Sequence, residues 1–310
     1  MIAWLFPGQG TQEVGMGKAL HDASPAAREV FARADEALGF SISKLCFEGP
    51  APELTLTKHT QPAILTASIA TLAAIREALP SLPLPSFAAG HSLGEYSALV
   101  ASSALSLEDA VRLVHLRGRA MQEAVPEGAG AMAAILGGDR AAVEQLCKDA
   151  AEGEPLSPAN FNAPGQVVIS GAATAVKRAS SLAAERKLKA IPLNVSAPFH
   201  CSLMEPAARA VEKALEGVTV DALAFPVVSN VEARPNSESA RVAELLVRQI
   251  DGAVRWDESV TAMAEAGVTK ALEIGPGKVL AGLVKRIDKR IQVLSVSDPD
   301  SVAKVAEFLG

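Results

Sequence analysis

Apolar and polar positions along the chain change period repeatedly, and each change marks an element. Ile2 to Phe6 is an unbroken apolar run of strand length. Ser24-Pro25 then supplies an N-cap and a first-turn proline to a helical pattern that Gly39 stops. A second helix is predicted from Gln61-Pro62 through ILTASIATLAAIREAL to Pro80. Phe87 to Ala89 reads as a short strand running into GHSLGEYSALVASSA, a turn followed by a helix. Ser106 and Asp109 have capping-box spacing and open a long helix that ends near Val125. Later strands are predicted at 225–229, 270–274 and 292–296, with helices between them. Alternating strands and helices predict an α/β fold with a largely parallel sheet.

The middle of the chain has a different rhythm, and Pro126-Glu127-Gly128 makes a boundary into it. Strand (131–136), helix (141–150), hairpin (157–162 with 167–170), helix (172–186) and strand (190–195) give the order β-α-β-β-α-β, the ferredoxin-like arrangement. The predicted organisation is a small subdomain at 127–196 inserted into a large domain formed by 1–126 and 197–310.

Composition narrows the chemistry. At 310 residues, against about 150 per domain, the chain is long enough for two units, each with a core. The net charge of -6 and 4% aromatic content suit neither phosphate backbones nor stacked bases, so no nucleic acid partner is expected. Cys46, Cys147 and Cys201 are too few and too scattered for a disulfide framework or a zinc site, and thiols are expected. MIAWLFPGQG lacks a basic n-region and breaks too early for a signal peptide, and no uninterrupted apolar stretch reaches the ~18 residues of a membrane span. These features predict a cytoplasmic protein with no membrane contact. The lack of a long apolar heptad or interface stripe predicts a monomer.

Gly90-His91-Ser92-Leu93-Gly94 fits G-x-S-x-G between a strand and a helix, the setting in which that motif forms a nucleophile elbow. The alternative is a serine-containing turn without chemistry. At a helix start, free N–H groups and the helix dipole favour negative charge beside the Ser92 hydroxyl. A serine nucleophile needs a base, and the choice is among His21, His59, His91, His115 and His200. His91 adjoins the serine, which on an elbow turns it away; His115 falls on the polar face of its helix, and His21 and His59 have polar surroundings. His200 follows a strand on a loop and ranks first, against the alternative of an ordinary surface histidine.

Arg117 carries the clearest physical signal. At about 100° per residue, Ala110, Leu113, Val114, Ala120, Met121 and Ala124 fall on its side of the helix, while Glu108, Arg112, His115, Arg119, Gln122 and Glu123 fall opposite. A charge centred on an apolar face needs a partner, because a buried unpaired charge costs ~3–5 kcal/mol. Two readings stay open: a structural ion pair inside the protein, or a cavity that receives a substrate carboxylate, which the guanidinium fork suits. The glycine-rich turn Phe6-Pro7-Gly8-Gln9-Gly10 follows the first strand, where open α/β sheets place ligands, so the Gln9 and Leu93 N–H groups could act as paired oxyanion donors. Gly128-Ala-Gly130 precedes its strand, Gly275-Pro-Gly277-Lys278 lacks the first phosphate-loop glycine, and no H-E-x-x-H or paired cysteines occur. Neither a metal nor a nucleotide cofactor is expected.

FPGQG at 6–10, TQPA at 60–63, GHSLGEYSALVAS at 90–102, LRGRAMQ at 116–122, NFNAPGQVVISG at 160–171, SAPFH at 196–200 and EIGPGKVL at 273–280 closely resemble the malonyl-CoA:acyl-carrier-protein transacylases, in order and over essentially the whole chain. The resemblance implies an α/β-hydrolase-like large domain with a parallel-sheet core and an inserted ferredoxin-like subdomain. It makes Ser92 the nucleophile and His200 the base, the latter oriented by a backbone carbonyl, matched here by Gln249. It makes Arg117 the clamp on the free malonate carboxylate, Gln9 and Leu93 the oxyanion donors, and Phe199 the residue whose bulk favours unbranched malonyl units. Gln61, His91 and Asn162 lie in matched blocks around the substrate.

The implied reaction moves malonyl from malonyl-CoA to the phosphopantetheine thiol of acyl carrier protein, with no cofactor of the enzyme's own. Thr11 and Cys201 depart from the family pattern, and Cys201 is expected to be prone to modification. A carrier protein of acidic character would need a local basic patch. Arg186, Lys187, Lys189, Lys285 and Arg286 are the candidates, with ordinary solvated side chains as the alternative. The competing functions are a serine hydrolase acting on malonyl thioesters and a non-catalytic carrier-binding subunit.

Overall fold

The computed structural model describes residues 1–310. Six strands form the main sheet: β1 (Ile2–Phe6), β2 (Phe87–Gly90), β7 (Val227–Val228), β8 (Pro235–Asn236), β9 (Lys270–Ile274) and β10 (Gln292–Val296). Their spatial order is β10-β9-β1-β2-β7-β8, parallel except for the antiparallel β7–β8 edge. β1 lies at the centre and buries Ala3 to Phe6 completely, which explains why its run carries no polar alternation. The helices Pro25–Leu38, Thr57–Ala78 and Leu107–Glu123 pack against one another and build much of the larger core.

A second sheet holds β3 (Gly130–Leu136), β4 (Leu156–Ala163), β5 (Gln166–Ala172) and β6 (Lys189–Pro192) in the antiparallel order β4-β5-β3-β6. The helices Arg140–Ala151 and Ala173–Glu185 complete the βαββαβ unit around a core of its own. The fold is an α/β-hydrolase-like domain with a ferredoxin-like insert. Contacts between the two units include the Asn160–Val254 bridge and Arg140, which bonds Asp257 at 3.2 Å and reaches Glu258 while covering the Phe161 ring.

Four local expectations change. The second helix begins at Thr57, so Pro62 lies inside it. Proline there removes one intrahelical bond and frees the carbonyl four residues back; that carbonyl, on Lys58, accepts the Nδ1–H of His115 at 2.8 Å. The Ser106 cap forms, with Oγ accepting the Asp109 N–H at 3.0 Å, but the Asp109 carboxylate turns to the Ser106 hydroxyl and leaves the box half made. The strand expected over 225–229 pairs only at Val227–Val228, and the strand expected over 190–195 ends at Pro192. Beyond Pro192 the chain leaves the sheet for the loop that carries His200.

Candidate active site

The elbow is built by close approach. A Cβ on Gly90 would stand 1.9 Å from the Gly94 carbonyl carbon, and one on Gly94 would stand 2.1 Å from the Phe6 carbonyl oxygen, so both G-x-S-x-G glycines are sterically required. Between them Ser92 holds a φ of 50°, in the left-handed region. His200 also has a left-handed φ, 60°. Strain of this kind costs roughly 1–3 kcal/mol per residue and persists only where surroundings enforce it.

The two strained residues meet. Ser92 Oγ lies 2.8 Å from His200 Nε2, and His200 Nδ1 lies 2.8 Å from the Gln249 main-chain oxygen. A carbonyl can only accept, so Nδ1 carries the proton and Nε2 turns its lone pair to the serine hydroxyl. Burial, reinforced by the nearby charge of Arg117, pushes the His200 pKa down to about 3. The imidazole therefore rests neutral and ready to accept a proton.

A testable consequence follows from the sign of that shift. The folded state resists protonating His200, so its contribution to stability is complete above the ordinary histidine value of ~6.5 and declines as pH falls toward the folded value. The ring-carbon resonance of His200 is expected to show no titration step between pH 8 and 5 in NMR spectra. A step near 6.5 would contradict this assignment.

Arg117 is 1% exposed and makes no ion pair. Its Nη1 donates to Gln61 Oε1 at 2.8 Å, and its Nη2 donates to Ser92 Oγ at 3.0 Å and to Gln249 Oε1 at 2.9 Å. The guanidinium carbon lies 5.5 Å from the Tyr96 ring centroid, and Nε has no partner. Neutral dipoles thus hold the charge in place without neutralising it. The internal ion pair is excluded, which leaves a group able to receive an anion beside the nucleophile.

The remaining predicted residues fall around this centre. Gly8 packs over the His91 carbonyl, where a Cβ would meet the oxygen at 2.4 Å, so the 6–10 turn lies on the elbow. Neither the Gln9 nor the Leu93 N–H donates to a protein acceptor; the Gln9 side chain reaches Thr57 Oγ1 at 3.3 Å, and Thr57 in turn meets Ser196 Oγ at 3.0 Å. His91 bonds Asn162 Oδ1 at 2.8 Å, and the base that meets Ser92 Oγ is His200. Phe199 is buried beside His200.

Cys201 corrects an expectation. It is 1% exposed and donates its thiol to the Pro198 carbonyl at 3.1 Å, and burial pushes its pKa up, so it is shielded instead of prone to modification. In the suggested basic patch, Arg186 is tied to Asp149 at 2.5 Å and Arg286 to Gln166 at 2.6 Å. Lys187, Lys189 and Lys285 are exposed.

Two residues of the site carry no signal in the sequence. Asn230 accepts the Ser92 N–H at 2.7 Å and donates to the Gly90 carbonyl at 2.7 Å, buckling the elbow from the β7–β8 loop. Glu95 is 3% exposed, and its Oε2 accepts the Asn230 N–H at 3.1 Å and the Gln249 Nε2–H at 2.7 Å. Burial pushes the Glu95 carboxyl up to about 7 against the opposing pull of these bonds and of Arg117.

An α/β-hydrolase-like fold carrying a serine elbow beside a buried, unneutralised arginine defines an enzyme of acyl transfer. Residues 3–306 match the acyl transferase domain family. The chain is 52% identical over 310 residues to the malonyl CoA-acyl carrier protein transacylase of Bacillus subtilis, covering 99% of this chain and 97% of that one. It is 46% identical over 308 residues to its counterpart in Escherichia coli K12, covering 99% of each. Among solved structures, a Vibrio cholerae acyl carrier protein S-malonyltransferase superposes with a TM-score of 0.95 at 45% identity, covering 98% of this chain and 99% of that one. A malonyl-transacylase in complex with its type II PKS acyl-carrier protein gives the same score and identity over 99% of each chain. This chain belongs to the malonyl-CoA:acyl-carrier-protein transacylase family.

Proposed function

We propose that this protein transfers malonyl from malonyl-CoA to the phosphopantetheine thiol of acyl carrier protein by a ping-pong mechanism through a malonyl-Ser92 intermediate. The observation that carries the reading is Arg117: a buried guanidinium with no carboxylate partner, in direct contact with the nucleophile. Malonyl is an acyl group that brings a carboxylate of its own to that place.

In the first half-reaction, His200 Nε2 takes the Ser92 proton as Oγ attacks the thioester carbon. The resulting oxyanion lies against the N–H groups of Gln9 and Leu93, each worth roughly 10²–10³ in rate. As the C–S bond breaks, the imidazolium returns its proton to the leaving sulfur. In the second half-reaction His200 takes the proton of the incoming phosphopantetheine thiol, the sulfur attacks the acyl-serine, and Ser92 recovers its hydrogen. The Gln249 carbonyl keeps the ring oriented throughout and stabilises the imidazolium. Donor and acceptor supply both thiols, so no resident cofactor enters the scheme.

Gln61 and Gln249 hold the guanidinium from two sides, and His91 with Asn162 stiffens the elbow against the small subdomain. Phe199, as a bulky wall, favours malonyl over branched units. The exposed Lys187, Lys189, Lys285 and Arg286, the last bonded only to the neutral Gln166 amide, are the charges free to meet an acidic carrier. The buried free thiols of Cys46, Cys147 and Cys201 suit a reducing cytoplasm, and such a carrier would serve fatty-acid or polyketide synthesis.

The test is intact-mass analysis after mixing with malonyl-CoA alone. The expected result is a malonyl adduct on Ser92 that disappears when holo carrier protein is added, with malonate appearing on the carrier. Steady release of free malonate without an adduct would instead establish a hydrolase.

A further inference from the structure

We infer that Glu95 is a positioning residue for the malonyl clamp: its carboxylate fixes which way the Gln249 side-chain amide faces, and thereby where Arg117 stands relative to Ser92. The inference rests on the reading of Arg117 as the group that receives malonate. Glu95 itself touches neither Ser92 Oγ nor His200, and nothing in the proposed mechanism uses it.

Donors and acceptors decide which way the amide faces. Gln249 Nε2 donates to Glu95 Oε2 at 2.7 Å and to the Ser92 carbonyl at 2.9 Å, while Gln249 Oε1 accepts from Arg117 Nη2 at 2.9 Å. Were the amide turned over, its NH2 would face the guanidinium, donor against donor. Its oxygen would then face two acceptors, one of them a carboxylate. Gln249 is 0% exposed, so no solvent is at hand to soften either clash. With the amide locked, the only orientation open to Arg117 Nη2 is toward Oε1 and the serine hydroxyl.

The same carboxylate oxygen accepts the Asn230 N–H at 3.1 Å, and the Asn230 side chain clasps both ends of the elbow turn. Gln249 meanwhile supports His200 through its main-chain oxygen. One buried acid therefore ties the clamp, the elbow and the residue behind the base to a common reference. It also places an acid one amide away from Arg117, which eases the buried cation when ionised and does not occupy its fork.

The experiment compares Ser92 acylation by malonyl-CoA and by acetyl-CoA, followed by mass in rapid-quench samples. In Glu95→Ala the malonyl-to-acetyl ratio is expected to fall about tenfold, mainly through a raised KM for malonyl-CoA, while the acetyl rate stays within about threefold of the parent. Glu95→Gln keeps an acceptor oxygen for both donors and is expected to restore the ratio to within about threefold. Gln249→Met retains the main-chain carbonyl and is expected to lose the ratio as Glu95→Ala does, with the double variant falling no further. If Glu95→Ala does not fold, Glu95→Met, which fills the same space and offers no acceptor oxygen, takes its place in that cycle.

Malonyl and acetyl rates falling together would assign Glu95 a purely structural place and overturn the inference. So would an unchanged ratio in Glu95→Ala or in Gln249→Met. A parent protein that forms no malonyl adduct would remove the reading of Arg117 itself, which the parent measurement shows before any variant is compared.

Discussion

Ser92→Ala is expected to lose malonyl transfer by a factor on the order of 10⁴ or more, and to show no mass adduct with malonyl-CoA at any time point. The substitution removes one oxygen and little else. Alanine has the same Cβ as serine at the left-handed φ of 50°, and the elbow is fixed by main-chain and Asn230 contacts that the hydroxyl does not make. Folding should therefore survive, with stability within about 1 kcal/mol of the parent.

What disappears is the atom on which two groups converge. His200 Nε2 loses the proton it is poised to accept, and Arg117 Nη2 loses one of its two acceptors. The remaining candidate nucleophile nearby, the Cys201 thiol, is buried and committed to the Pro198 carbonyl. A malonyl adduct persisting in Ser92→Ala, with unchanged turnover, would move the chemistry to another residue and dismantle the proposed mechanism.

How much of this was legible in the chain depends on how local each signal is. The elbow announces itself because its glycines are demanded within five consecutive residues, and the strand before it and helix after it are short-range patterns. Arg117 is legible because a helix repeats every 3.6 residues, so one charge among alanines, leucines and valines stands out against its own face. The partners of Arg117 were not legible. Gln61 and Gln249 approach from elements 56 and 132 residues away, and neutral amides in the place of a carboxylate have no sequence signature.

Asn230 and Glu95 likewise depend on long-range contacts. Asn230 sits in a loop whose composition predicts only a turn, and it becomes a buckle because β7 pairs beside β2, bringing it to Ser92 across 138 positions. Glu95 reads as an ordinary acidic residue in the first turn of a helix, where the dipole favours it. Its burial follows from the long-range approach of Gln249 and of the β7–β8 loop. Pro62 misled for the opposite reason. It resembles a helix start, but a histidine from another helix satisfies the carbonyl it frees, and that compensation is tertiary.

Arg117→Ala is expected to convert a malonyl-selective enzyme into a weak, unselective one, lowering the malonyl-to-acetyl acylation ratio by ~10² or more. The magnitude comes from the fork: two charge-assisted hydrogen bonds to a carboxylate contribute ~1.5–3 kcal/mol each, and acetyl makes neither. The ratio falls from both sides. Malonyl loses its anchor and would have to bury an unpaired carboxylate, whereas acetyl no longer enters a site that strands a guanidinium. Because Arg117 is one of the causes holding the His200 pKa low, its removal also makes the base somewhat stronger, and that change acts on both substrates alike. Acetyl-CoA acylation of Ser92 is therefore expected to be maintained or to rise while malonyl-CoA acylation collapses. Parallel rapid-quench measurements with the two thioesters give the comparison directly. An unchanged ratio would return Arg117 to a structural role, and the absence of any acylation, acetyl included, would mean that its bond to Ser92 Oγ matters more than its charge.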